Sequence, residues 1–298
     1  MKPKTPGRPG DQSPASVNTG LPPPLSSAHA AFATGMFVLA VLLVSNSILG
    51  PLGIGIIDYP ISTTLQNQLI GLELVTLVLV TPLSIAAGVL ALRGHRAAGP
   101  LAFGPAAYTA YMFVQYVLGP EYATFNSVVL FDLGIFALSA VLTVWAWTIT
   151  DTASMPDMTP TRQRVYGVVL LALAAFILSR YLGPIFGGAM PAEFADARTF
   201  FWSIVLLDLG LVVPATTITA VALFRGTRSA QKALYAVLGW FALVPPSVAA
   251  MGAVMVARSD PNAAVGQVVV LAIVAIVFMV FAATVFRPLL SRNRPHIA

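Results

Sequence analysis

The sequence predicts an all-α, polytopic membrane protein with eight transmembrane helices. Of its 298 residues, 57% are hydrophobic and only 9% are charged, and the mean hydropathy is +0.85. A soluble domain carries about 25% charged residues. Apolar runs of spanning length, about 20 residues for a hydrocarbon core of roughly 30 Å, recur along the chain. The charged residues stand mostly between these runs, which is typical of a protein that crosses a membrane repeatedly.

The eight predicted spans are separated by linkers that are mostly short. We place the spans at about 30–49, 66–92, 99–118, 125–149, 164–183, 199–224, 233–257 and 263–286. The linkers 50–65 and 184–198 are longer, and both are apolar and contain glycine. We expect these two to lie along the membrane interface or to dip back into the protein.

The predicted organisation has two membrane-embedded halves. Residues 1–29 are rich in Pro, Ser and Gly, a composition that predicts a disordered tail. Residues 30–150 form the first predicted four-helix repeat, 151–163 a cytoplasmic linker, and 164–286 the second repeat. A basic cytoplasmic tail, 287–298, ends the chain.

The basic residues predict the orientation. With eight spans, 13 of the 16 Lys and Arg residues fall on the side of the two termini, and two fall on the other side. By the positive-inside rule, both termini are therefore expected in the cytoplasm, with the protein in the plasma membrane. The excess of arginine over lysine favours a bacterial cell.

Similar phrases in the two halves predict an internal repeat. Residues 91–98 (ALRGHRAA) resemble 223–230 (LFRGTRSA), and Leu-Gly-Pro stands at both 49–51 and 182–184. Because each half has an even number of spans, the copies would be parallel repeats about an axis along the membrane normal. Chance similarity between apolar segments is the alternative.

The register of this repeat bears on the acidic residues. A shift of 135 residues places Glu73 on Asp208 and Asp132 on Gln267. Other landmarks need shifts of 132 or 133, so small gaps are required. In this register, three positions carry acids and the fourth carries an amide.

Three carboxylates inside predicted spans are the candidate binding residues. Glu73, Asp132 and Asp208 lie at similar depths in even-numbered spans. An ionised carboxylate at the bilayer centre costs about 2.5–3.5 kcal/mol, so these acids are expected to face the bundle interior and to share one polar centre.

Further polar side chains stand at the same predicted level. Arg180 is the predicted counter-ion, or else it forms a structural ion pair or reaches the interface. Gln115 and Gln267 are candidate ligands, although hydrogen bonding between helices would also explain them. Tyrosines at 108, 111, 116 and 181 would line an outer vestibule or lie at the membrane interface.

Several classes of chemistry are excluded or disfavoured. The chain has no cysteine, which excludes disulfides and thiolate chemistry. Its three histidines lie outside the predicted spans, so no metal site or cofactor is predicted. No Walker loop, G-x-S-x-G or H-E-x-x-H motif is present. The basic residues lie at helix ends, so the pI of about 9.7 indicates topology and not a nucleic-acid partner.

Three functions remain open on the sequence. The first is transport or binding of a small solute or ion, with protonation of a carboxylate as the coupling event. The second is a non-catalytic subunit that assembles or stabilises a membrane complex. The third is a membrane-embedded enzyme acting on a lipid or isoprenoid, with a protonated carboxyl as general acid. An enzyme is disfavoured, and the lipid bilayer is the one partner that composition predicts directly.

Overall fold

The computed structural model describes residues 27–291, and this part of the chain is folded into helices connected by turns and loops. The α-helices are α1 Ser27–Leu49, α2 Thr63–Val75, α3 Thr81–Leu92, α4 Ala98–Leu118, α5 Ser127–Ile149, α6 Pro160–Arg180, α7 Leu182–Gly187, α8 Arg198–Leu207, α9 Val213–Phe224, α10 Arg228–Phe241, α11 Val244–Ala257 and α12 Val265–Leu290. Most of the tail predicted at 1–29 and the last seven residues of the tail predicted at 287–298 lie outside the described residues.

Seven helical segments of the described part are long and apolar enough to cross a membrane. They are α1, α2–α3, α5, α6–α7, α8–α9, α10–α11 and α12. The remaining predicted span, 99–118, forms the 21-residue helix α4. Because Gly, Pro, Ala and Tyr replace larger aliphatic residues in α4, it is not among the seven.

The connecting loops meet in two groups at opposite ends of the helical bundle. One group, here called the acidic end, consists of loops 50–62, 119–126, 188–197 and 258–264. Side-chain hydrogen bonds tie these loops to neighbouring helices. Glu121 Oε1, for example, accepts a hydrogen bond of 2.8 Å from the hydroxyl of Thr199 near the start of α8.

The other group, the basic end, consists of loops 93–97, 150–159 and 225–227 with the end of α12. Arg96 connects them, because its guanidinium donates to the backbone carbonyls of Ser154, Pro288, Leu289 and Ser291 at 3.0–3.3 Å. These donors satisfy carbonyls that a helix C-terminus leaves without intrahelical partners. Helix α4 therefore runs from the basic end to the acidic end.

Helix α4 is the central element of the bundle. It packs against α3, α5, α8 and α10. Its small residues allow close approach, as Gly104 shows: a Cβ built there would lie 2.9 Å from the backbone of Gly239 in α10. Small residues at such contacts are typical of membrane helices, where close packing replaces the hydrophobic effect as the driving force.

Two helices contain a π-helical turn directly before a proline. Thr76–Val80 joins α2 to α3 and precedes Pro82, while Asp208–Val212 joins α8 to α9 and precedes Pro214. Proline lacks a backbone N–H and clashes with the preceding turn, so a wider turn at this point accommodates it.

The π-helical turns stand 132 residues apart, and this spacing changes the predicted register. It aligns Asp208 with Thr76, both at the first position of the wide turn, and not with Glu73. Gly104 in α4 and Gly239 in α10 contact each other and stand 135 residues apart, so this pair keeps the spacing of 135 predicted from the sequence. Glu73 and Asp208 are therefore not at equivalent places in their helices.

A close approach of the backbones of α2 and α11 suggests a test of the packing. At Gly71 in α2, an added Cβ would lie 2.6 Å from the Ala250 carbonyl carbon, and closer still to Met251. Gly71→Ala is expected to destabilise the protein by about 1–3 kcal/mol, since backbone must move to admit the methyl group. Thermal unfolding of the detergent-solubilised protein measures this change.

Gly134→Ala is the matched control. Gly134 is exposed on α5, and an added Cβ there meets nothing within 4 Å. Alanine should raise stability slightly at this position, because it is the better helix former by about 0.8–1 kcal/mol. Equal melting temperatures for the two variants would contradict the close packing of α2 on α11.

Candidate functional site

Glu73 is buried at the end of α2 nearer to the π-helical turn, with one carboxyl oxygen bonded and one without a partner. The side chain is 1% exposed. Its Oε2 accepts a hydrogen bond of 2.9 Å from the backbone N–H of Leu52, and its Oε1 has no hydrogen-bond partner among residues 27–291. Gly50 makes room for this carboxyl, because a Cβ at that position would lie 2.6 Å from Oε1.

A small cavity adjoins Glu73. Five polar side chains besides Glu73 line it: Asn46, Thr76, Tyr108, Thr109 and Tyr116. The remaining lining is apolar. The space open to the centre of a water-sized sphere is about 10 Å³, which is close to the minimum that one water molecule needs. The side chain that carries the unpartnered oxygen, Glu73, therefore lines a cavity with room for about one water molecule.

Asp132, on α5, is the second buried acid of this centre. It is fully buried, and its Oδ1 lies 3.5 Å from the hydroxyl of Tyr59, while Oδ2 has no hydrogen-bond partner. The Tyr59 hydroxyl also lies 3.4 Å from Oδ1 of Asn46. One hydroxyl carries one proton, so Tyr59 can donate to only one of these two acceptors at a time.

Tyr59 reaches the acids from the loop between α1 and α2. Its ring is 1% exposed and packs edge-on against Tyr116, with centroids 5.2 Å apart. Burial, and then the carboxyls of Asp132 and Glu73, raise the pKa of Tyr59 far above its ordinary value. The hydroxyl therefore keeps its proton at neutral pH and acts as a donor. Linker 50–65 is predicted either to lie along the membrane interface or to dip back into the protein. At Tyr59 it dips back into the protein.

An open crevice at the acidic end adjoins this centre. It has a volume of about 530 Å³, and its lining is Asp58, Pro60 and residues 122–127. The hydroxyl of Tyr122 is buried there without a hydrogen-bond partner. Burial, followed by the charges of Asp132 and Asp58, raises the pKa of Tyr122 to about 12. The Tyr122 hydroxyl therefore interacts with two acids: Asp58, which is exposed in the crevice, and Asp132, which is buried behind it.

Asp208 forms a separate centre on another face of α4. It is 4% exposed, and both carboxyl oxygens accept hydrogen bonds from tyrosines. Tyr111 Oη lies 2.6 Å from Oδ1, and Tyr181 Oη donates a short bond to Oδ2. Two hydroxyl donors satisfy this carboxyl, whereas Glu73 and Asp132 each retain one oxygen without a partner.

The single polar centre expected from the sequence is therefore two centres. Glu73 and Asp132 share Tyr59, and Asp208 has its own pair of tyrosines. Arg180, the predicted counter-ion, is exposed at the end of α6, and the neighbouring Tyr181 contacts Asp208 in its place.

The two predicted glutamines also differ in their placement. Gln115 is buried on α4, whereas Gln267 is exposed on α12 and does not join the buried acids. Tyr59 is not among the candidate residues predicted from the sequence. Tyr111 and Tyr181 are predicted only as residues of an outer vestibule or of the membrane interface. Nothing local in the sequence signals that a loop tyrosine folds back onto an acid 73 residues away.

Within residues 27–291, no group of three or more His, Asp and Glu side chains is arranged to hold a metal ion. Comparison with protein-family models, with curated proteins and with solved structures finds no match to this chain. The geometry of the two acidic centres therefore carries the functional argument alone.

A fourth acid, Asp260, ties the loop 258–264 to helix α2 at the acidic end. It is 7% exposed and accepts hydrogen bonds from the Thr64 hydroxyl at 3.1 Å, the Asn67 amide at 2.8 Å and the Asn262 backbone at 2.9 Å. Burial alone would raise the pKa of Asp260, but these three donors outweigh burial and lower it.

Asp260 predicts a pH dependence of stability. A lowered pKa means that the carboxylate stabilises the fold above its unfolded pKa of about 3.9, and that this contribution is lost as the pH falls through the folded value. Asp260→Ala is expected to cost about 2 kcal/mol at pH 7. The difference from the unsubstituted protein should shrink below about pH 4, as measured by thermal unfolding across pH.

Asp196→Ala provides the comparison, since Asp196 is exposed at the same end of the bundle. It should leave the melting temperature unchanged at every pH. A cost for Asp260→Ala that persists undiminished at pH 3 would show that the carboxylate charge is not what its three donors stabilise.

Proposed function

We propose that this protein is a multi-pass integral membrane protein that takes up a proton or a small monovalent cation at Asp132 and Glu73 and moves it across the membrane. The observation that supports this most directly is the pair of buried carboxyls, each with one unpartnered oxygen, behind the crevice of the acidic end. A buried carboxyl whose hydrogen bonds are incomplete needs a proton or a cation to offset the cost of burying its charge.

The contacts of these carboxyls favour exchange over a fixed structural pair. Their polar partners are a backbone N–H for Glu73 and a tyrosine hydroxyl for Asp132. Neither is a Lys or Arg that would hold the charge permanently. A carboxyl without a resident counter-ion can alternate between a charged and a neutral form, which is what a coupling site requires.

The route from the acidic end begins at Asp58 and passes Tyr122 and Tyr59. Tyr59 is 1% exposed, and its hydroxyl lies 3.5 Å from Asp132 Oδ1. A tyrosine hydroxyl passes a proton on when its oxygen accepts a proton from one neighbour while its own proton moves to another. For Tyr59 the acceptor of its own proton is Asp132 Oδ1, the replacement proton comes from the side of the crevice, and Asn46 Oδ1 accepts the hydroxyl in its other orientation.

The proposed topology has eight spans, with α4 as the third, and both termini in the cytoplasm. Its support is the passage of α4 between the two groups of loops, together with the cluster of Arg and Lys residues at the basic end. By the positive-inside rule the basic end faces the cytoplasm. The crevice and its acids then face the outside.

Assembly of a membrane complex is the second candidate. It is favoured by the tight packing of the centre, where the cavity beside Glu73 has room for about one water molecule. A cavity of this size does not accommodate a lipid or isoprenoid, so it gives no support to the membrane-enzyme alternative.

The topology is tested by labelling with a membrane-impermeant thiol reagent. The native chain has no cysteine, so single cysteines report without background. We expect Thr124→Cys, exposed at the acidic end, to react in intact cells. Arg93→Cys, exposed at the basic end, should react only after permeabilisation. Labelling of both from the same side would show that α4 does not cross the membrane.

Ion movement is tested in liposomes containing the purified protein and a pH-sensitive dye. A membrane potential set by potassium and valinomycin should drive proton uptake. Asp132→Asn is expected to lower the initial rate about 100-fold or more, the range that loss of a positioned proton-transfer group produces.

Asp196→Asn, an exposed acid of the same end, should retain the full rate in this assay. If sodium and potassium gradients also fail to produce flux in the unsubstituted protein, transport is contradicted and assembly is favoured. Equal rates for the Asp132→Asn and Asp196→Asn variants would contradict the role of Asp132.

A further inference from the structure

We infer that the small cavity beside Glu73 is a binding site for one dehydrated sodium ion. This inference deepens the proposed function by naming the cation, and it rests on that proposal only for the claim that the ion is moved. Binding itself follows from the side chains around the cavity and is measured separately.

The first argument is the unpartnered oxygen. Glu73 Oε1 is buried without a hydrogen bond, in a side chain that is 1% exposed and lines the cavity. The other oxygen is bonded to the Leu52 N–H, which holds the carboxyl in place. A buried acceptor left vacant is destabilising, and a bound cation would remove that cost.

The second argument is the set of neutral oxygens around the same space. Thr76 donates its hydroxyl proton to the backbone carbonyl of Leu72 at 2.9 Å, so the oxygen lone pairs stay available. Asn46 lines the cavity and offers an amide oxygen that lies 3.4 Å from the Tyr59 hydroxyl. One carboxylate with neutral oxygens is a donor set for hard cations, which prefer oxygen ligands.

The charge and the size of the cavity select among such cations. One carboxylate lines it, so a monovalent ion balances the charge, whereas calcium and magnesium sites usually recruit several carboxylates and waters. The cavity has room for about one water-sized sphere. A sodium ion without its hydration shell is smaller than a water molecule and fits this space, whereas a caesium ion is larger than a water molecule and should bind more weakly.

Gly50 is part of the same arrangement. A Cβ at position 50 would lie 2.6 Å from Glu73 Oε1 and would displace that oxygen. Glycine is therefore required here by the carboxyl, and Gly50→Ala offers a way to disturb the site without removing the charge.

Asp208 supplies the natural control. It is also a buried acid in a membrane-length helix, but both of its oxygens accept tyrosine hydroxyls. It has no vacant acceptor, so it should not contribute to sodium binding.

The experiment measures thermal unfolding of the detergent-solubilised protein at constant ionic strength, with choline replaced stepwise by lithium, sodium, potassium, rubidium or caesium. Sodium should raise the melting temperature in a saturable manner, because a ligand that binds only the folded state stabilises it by mass action. Caesium should match choline. An identical melting temperature in sodium and choline overturns the inference, whatever the variants do.

Two variants locate the effect. Glu73→Gln and Gly50→Ala should lose the sodium-dependent rise, whereas Asp208→Asn should keep it. Isothermal titration of sodium into the same samples gives a second measurement if a variant has a lower basal stability. Retention of the full response in Glu73→Gln would also overturn the assignment.

The two proposals fail in different ways. Sodium binding in detergent without any flux in liposomes would support the site and contradict transport. Proton flux that depends on Asp132, together with a melting temperature that does not change with sodium concentration, would support transport and contradict the sodium site.

Discussion

The structure depends on the burial of carboxyl groups in an apolar helical bundle. The contacts of Glu73, Asp132 and Asp208 come from a backbone N–H and from tyrosine hydroxyls. An ionised carboxylate in such surroundings costs several kcal/mol unless hydrogen bonds or a cation offset it. Around Asp208 two tyrosines provide that compensation. Around Glu73 and Asp132 the compensation is incomplete, and this difference separates a structural acid from a candidate ion site.

The backbone geometry around these acids follows from the same constraint. The loop 50–62 folds back so that the N–H of Leu52 and the hydroxyl of Tyr59 reach Glu73 and Asp132. Loop backbone at this depth is tolerated in a membrane protein where it is buried within protein. The π-helical turns before Pro82 and Pro214 accommodate these prolines, and they lie close to Glu73 and Asp208 in the chain. Irregular backbone is thus concentrated where the acids lie.

Helix α4 is low in hydrophobicity because its central position in the bundle requires small residues. Its Gly, Ala and Pro residues make it less apolar than the other spanning segments, and they also permit close contacts such as Gly104 with Gly239. A helix that is surrounded by other helices needs small residues more than it needs lipid-facing ones. From this central helix, Tyr111 donates its hydroxyl to Asp208, while Tyr108 and Tyr116 line the cavity beside Glu73.

The sequence alone predicted an all-helical membrane protein from hydrophobic length and charge deficit, and the described residues form seven helical segments long and apolar enough to cross a membrane. It also identified Glu73, Asp132 and Asp208 as exceptional, since charge inside a span is costly wherever it falls. Only the tertiary structure decided their partners: it separated Asp208 from the other two, exposed Gln267, and brought Tyr59 onto Asp132. Such contacts join residues far apart in the chain, and their geometry depends on helix packing and loop path, which neither periodicity nor motif spacing encodes.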